Sequence, residues 1–238
     1  MSDFNFLIWL GEKISFLSWI NEETIHIASA AFVGIALLAL AFVAYLRLRN
    51  AEKNLIPSKN ITIAGVFEAA SEMLLGLMED AMGKQAIKYL PLIGGLFFYI
   101  FFCNLLSLIP GFLPPTDNIN TNIPCAIIVF LYYNFVGIRE QGFIKYFKHF
   151  AGPIIWLAPL MFSIELISHL VRPLSLSVRL FGNITGDHMV LGIFSQLTPL
   201  VVPVIFLFLA LFVAFIQAFV FSLLSTVYIA LATEAEGD

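Results

Sequence analysis

Apolar residues run along this chain in long blocks rather than in short alternating stretches. The first block covers 26–46 and stops at Arg47 and Arg49. At 1.5 Å per residue, a helix over it reaches about 30 Å, enough to cross the hydrocarbon core of a bilayer. Residues 50–60, NAEKNLIPSKN, are polar, contain a proline and predict a loop. The pattern then changes. Over 61–83, Glu68, Glu72 and Glu79 recur at steps of four and seven, which return to one side of a helix. Val66, Phe67, Ala70, Met73, Leu74 and Leu77 fall mainly on the other side. This stretch predicts an amphipathic helix at the membrane surface, with its acidic stripe toward water or a partner.

Two further blocks, 89–109 and 123–138, predict a helical hairpin. Between them lies GFLPPTDNINTN (111–122), rich in turn formers. After them, REQGFIKYFKHF (139–150) predicts a basic, aromatic interfacial loop. The remainder holds two apolar segments, 153–193 and 199–232. Each exceeds the roughly 20 residues that a perpendicular crossing needs, so both predict long, strongly tilted helices.

Composition agrees. Hydrophobic residues make up 60% of the chain and charged ones 12%, against about a quarter in soluble domains. The fold class is therefore an all-α polytopic membrane protein: about five membrane helices and one amphipathic interfacial helix, in a single membrane domain over 1–238. With the bilayer as solvent, a net charge of −4 says little about nucleic acid or soluble partners, and no nucleic-acid partner is expected. Cys103 and Cys125 both sit in apolar runs and predict free, buried thiols. Neither has metal-ligand spacing to a histidine, and neither a metal nor a cofactor is expected. Residues 1–25 lack the basic stretch, apolar core and small-residue site of a cleaved signal.

The positions of the charges say more than their sum. Five crossings put Arg47, Arg49, Lys53, Lys59, Lys84, Lys88, Arg139, Lys145 and Lys148 on one side and Lys13 on the other. The side rich in lysine and arginine is cytoplasmic. The N-terminus is then outside and the tail ATEAEGD inside.

The remaining two arginines lie within a span. A charge at the centre of a bilayer costs about 2.5–3.5 kcal/mol on insertion scales. Yet Glu165, Arg172, Arg179, Asp187 and His188 share one apolar segment. Steps of seven place Glu165, Arg172 and Arg179 within about 40° on a helix. Ser168, Ser175 and Asn183 flank that stripe, while His188 lies on the far side with Ser177 and Thr185. Pro173 removes one backbone hydrogen bond and predicts a bend. Gln217, Ser225 and Tyr228 form a stripe on the last segment, and Asn104 and Ser107 mark the second span. Arg172 either pairs with Glu165 or serves the function directly. Arg179, among apolar neighbours, is the candidate functional charge.

Residues 179–183, RLFGN, preceded by RPLSLSV (172–178), resemble the most specific motif of subunit a of the F-type ATP synthase. QAFVFSLLSTVYIALA (217–232) resembles that family's last helix. NLLSLIPG (104–111) and PTDNINTN (115–122) resemble its early hairpin. The three motifs occur in the family's order, and the resemblance covers about residues 55–234. It implies an ion-conducting stator subunit of a rotary motor in the cell inner (plasma) membrane, with no catalytic site of its own. The implied partners are the ring of c subunits, the stalk formed by subunit b, the rest of the complex and membrane lipid. Two offset aqueous half-channels lead ions, H⁺ or Na⁺, to and from the c-ring carboxylates. Arg179 matches the family's indispensable arginine. Asn183 and Gln217 match positions near it, and Glu165, Ser175 and Asn104 match positions along the aqueous paths. His188 matches a position that is Glu or His in the family. Members with His there often carry a Glu seven residues before the matched Gln, where this chain has Ala210. Asp187 either supplies that missing acid, caps a bend after Gly186, or pairs with Arg172 or Arg179.

Two other classes compete. A secondary transporter of a small anion would use Arg179 as an anchor, but the sequence shows no paired repeat. A hydrolase would need Ser168 or Ser177 beside His169 or His188. Adjacent positions such as Ser168 and His169 do not face each other on a helix, and no GxSxG-like elbow is present.

Overall fold

The computed structural model describes residues 21, 24–48, 63–109, 112–143, 145–146, 157–197 and 201–233. Six α-helices run through them: α1 (Ile25–Leu48), α2 (Ile63–Met82), α3 (Ala86–Leu105), α4 (Ile119–Gln141), α5 (Ala158–Leu197) and α6 (Val201–Thr233). No strand occurs among the described residues. The expected features at 1–20, 50–60 and 234–238, and at 144 and 147–150 of the basic stretch, lie outside them.

The distribution of polarity is that of a chain dissolved in lipid. Leu38 and Phe208 are 73% and 74% exposed, whereas Asn104 and Gln217 are 0% and 4% exposed. Water would drive the reverse arrangement. Among the described residues, four helical stretches are long and apolar enough to cross a membrane: Ile25–Leu46, Gly65–Leu108, Ile119–Gln141 and Val204–Thr233. The chain is an all-α, multi-pass membrane protein. α5 has the length for a crossing, but the charged and polar side chains spread along it keep it out of that group.

The chain forms two compact units. The first comprises residues 1–115 and 211–222, the second 116–210 and 223–238. In the first, Val33, Cys103 and Leu106 form a core, covered by Leu37, Tyr99, Phe102 and Phe112. Phe67 of α2 packs tilted against Phe98 of α3 at 4.6 Å between ring centroids and stacks on Phe102 at 6.2 Å. Phe215 of α6 meets Phe97 and Phe101 edge-on at 6.0 and 6.1 Å. In α2 the stripe of Glu68, Glu72 and Glu79 is exposed and Leu74 and Met78 are buried, as its two-faced pattern predicts. Val66 and Met73, assigned to the apolar side, are exposed as well. Gly83, with φ 61°, makes the turn from α2 to α3 in a region that other residues adopt at a cost.

The second unit is built on α4 against α5. Asn118 caps α4 by accepting the Asn120 N–H at 2.9 Å. Asn122 donates to the Thr116 carbonyl at 2.8 Å. These bonds carry the helix to four residues before the expected start at 123. It runs on to Gly142, whose φ of 80° ends it. α5 is helical throughout, with Pro173 inside it. Cys103 and Cys125 are both buried, and neither forms a disulfide.

Candidate functional site

α5 carries two rows of side chains at steps of four. Leu176, Leu180 and Ile184 are buried. Ser175, Arg179 and Asn183, each one position earlier and so about 100° round the axis, are exposed. Arg179 thus sits in the middle of an open face, next to a row that packs inward. It has no ion-pair partner among the described residues.

Arg172 is treated differently. Its Nη2 lies 3.6 Å from Glu165 Oε1, and its guanidinium lies over the Tyr228 ring, 5.4 Å from the centroid. A planar guanidinium suits both contacts at once. Of the two readings of Arg172, pairing with Glu165 is the one observed.

Asp187 and His188 are half-buried. α5 does not break at Gly186, and among the described residues Asp187 forms no ion pair with Arg172 or Arg179. The bend cap and the arginine pairing expected as alternatives are therefore not seen. His188 Nε2 is buried without a hydrogen-bond partner among the described residues. One turn earlier, Thr185 Oγ1 donates to Asp117 Oδ1 at 2.7 Å. Asn104 and Gln217 belong to the first unit and are both buried. In that unit Ser107 Oγ donates to the Asn104 carbonyl at 2.7 Å.

Neither hydrolase pairing forms. Ser168 is exposed while His169 is buried, and Ser177 donates to the Pro173 carbonyl at 3.0 Å. His169 instead faces α4. Its Nε2 is 3.0 Å from Asn134 Oδ1 and 3.3 Å from the Tyr146 hydroxyl, which donates to the same Oδ1 at 2.9 Å. Burial pushes the Tyr146 phenol above its ordinary value, with Arg172 opposing and Glu165 adding to the rise, so the hydroxyl keeps its proton and donates. Sequence reasoning missed Asn134, Tyr146 and Asp117. A lone Asn inside an otherwise apolar span was the available signal for the first.

The family model described as ATP synthase A chain matches residues 29–230. The chain belongs to that family. Among curated relatives, the ATP synthase subunit a of Bdellovibrio bacteriovorus is 43% identical over 213 residues, 90% of this chain and 93% of the relative. The subunit a of Campylobacter jejuni is 47% identical over 207 residues, 86% and 90% of the two chains. That of Geobacter sulfurreducens is 44% identical over 207 residues, covering 87% and 90%. The matched region takes in the whole of α2 to α5, and with them both rows of α5.

Proposed function

We propose that this chain is the ion-conducting stator subunit of an F-type ATP synthase in the cell inner membrane. In this role it works beside a ring of c subunits and the subunit b stalk. The observation that carries the reading is Arg179, exposed on the open face of α5 and unpaired among the described residues. A charge so placed is tolerable in a membrane if a partner from another chain meets it. A c-subunit carboxylate is such a partner. As each carboxylate passes, the guanidinium favours its ionised form, and the fixed charge opposes direct passage of a proton between the two half-channels. Arginine suits the task because it does not release its proton.

Ser175 and Asn183 flank Arg179 on the exposed face, and Glu165 lies further toward the start of the helix. Glu165 and Ser175 line an aqueous path on this reading, and Asn183 stands beside the arginine. His188 and Asp187 line the other. The open Nε2 of the buried His188 ring is the kind of group that water in such a path would satisfy. Helices α5 and α6 lie strongly tilted against the ring.

Arg179→Ala abolishes ATP-driven ion pumping and ATP synthesis with the complex assembled. Arg179→Lys fails as well, since a point charge on a flexible stem does not replace a planar fork. Pumping is read in membrane vesicles, and near-normal rates in either variant reject the assignment.

A further inference from the structure

The cluster of His169, Asn134 and Tyr146 has no part in the reading above. It is nonetheless the most specific polar contact of the α4–α5 pair. His169 is 8% exposed and its ring stands edge-on to Phe130 and Tyr133, at 5.5 and 5.0 Å between centroids. Asn134 Nδ2 donates to the Phe130 carbonyl at 2.7 Å, which fixes the amide so that its oxygen faces His169 and Tyr146. His169 therefore donates through Nε2. Tyr146 is held in place from below by its own N–H to the Gly142 carbonyl at 3.0 Å. Gly137 leaves room for it: a Cβ there would lie 2.6 Å from Tyr146 Cε2.

Two roles fit a histidine in this position, as a carrier of protons or as a fixed point. A carrier must pass a proton on. Asn134 cannot, because its oxygen only accepts and its amide donates to the Phe130 carbonyl, and the Tyr146 hydroxyl, 3.3 Å from Nε2, gives its own proton to that same oxygen. The fixed point remains. Around it, α5 packs through Leu176, Leu180 and Ile184, whose aliphatic contacts have no preferred direction. In lipid the hydrophobic effect does not set helix rotation either. A hydrogen bond does have a direction.

We infer that His169 is a positioning residue for ion translocation: through Nε2–H to Asn134 it sets the rotation of α5 and so holds the row of Ser175, Arg179 and Asn183 toward the c-ring. The inference rests on the stator reading above.

The test uses the whole ATP synthase in membrane vesicles. Gly182 is exposed, three residues past Arg179, and a Cβ there meets nothing within 4 Å. Gly182→Cys, oxidised against a cysteine placed beside the c-subunit carboxylate, reports which way α5 faces. With His169 intact this pair cross-links; if it does not, the ring-facing reading itself fails. His169→Phe keeps the ring and removes the donor. Cross-linking and ATP-driven pumping then fall about fivefold or more, the change expected for one net hydrogen bond. His169→Gln, whose amide can donate to Asn134, restores both to within about twofold. Parental cross-linking and pumping in His169→Phe overturn the inference. So does a His169→Gln enzyme that cross-links normally and still does not pump, since that marks a proton carrier. If His169→Phe does not assemble, Asn134→Leu removes the acceptor of the same bond instead. It lowers cross-linking in the same way, and unchanged cross-linking there also overturns the inference.

Discussion

An arginine inside an apolar helix can pair, hydrate or meet a charge from another chain. Arg172 does the first, with Glu165 at 3.6 Å, and Arg179 is left for the others. The seven-residue spacing of Glu165, Arg172 and Arg179 was legible in the sequence, and so was the special status of Arg179. What the spacing could not convey is that the three do not share one environment. A helix drifts by about 20° per heptad, so a stripe aligned at Glu165 has turned away by Arg179. The place of His169 was not legible for a related reason: its partners, Asn134 and Tyr146, are distant in sequence and only the packing of α4 on α5 unites them. The structure also sharpens the question of Asp187, which is half-buried beside His188 and not bound to either arginine. If Asp187 replaces the acid absent at Ala210, Asp187→Asn slows proton pumping by about tenfold or more in an intact complex. Ala210→Glu in that background then recovers part of the rate. Normal pumping in Asp187→Asn, or no recovery, assigns Asp187 a structural role.

Among the elements, the existence and order of the helices followed from hydrophobic blocks, and their ends did not. The block at 123–138 became a helix over Ile119–Gln141 because polar residues extend it at both ends. Asn118, Asn120, Thr121 and Asn122 read as turn formers in isolation, yet here they cap and begin α4. Side chains that compete with the backbone in a turn are the same ones that satisfy its open N–H groups at a helix start. Asn118→Ala should accordingly destabilise the detergent-extracted protein by about 1 kcal/mol. A thermal melt followed by circular dichroism measures it, and an unchanged melting point argues that the cap is dispensable.

For the whole molecule, the excess of apolar surface made the membrane class plain, and the lysine and arginine count gave an orientation. Lys84, Lys88, Arg139 and Lys145 are all exposed, as residues at a membrane edge must be. On the orientation read from them, Lys84→Cys reacts with a membrane-impermeant maleimide in inverted vesicles and is protected in intact cells. The opposite pattern reverses the topology. The partner chain proposed to meet Arg179 was not legible from spacing or hydropathy. On that proposal the surface is shaped by a ring that another gene product supplies, and only the family motifs pointed to it.

The amide of Asn134 has a consequence beyond holding a helix in register. On the proposed ion-conducting reading, any continuous line of groups that both accept and donate next to the proton path is a short circuit. His169 lies within one turn of Glu165 and Arg172, and Tyr146 stands between it and the end of α4. Joined through a titratable group, they would form a wire that bypasses the rotor. The amide oxygen, receiving on both sides, acts as insulation. Asn134→Asp would turn the insulator into a conductor, since a carboxylate can take a proton from one neighbour and give it to the other. Vesicles carrying that variant should lose an imposed pH gradient faster than the parent when rotation is blocked. An equal decay rate means the insulation lies elsewhere.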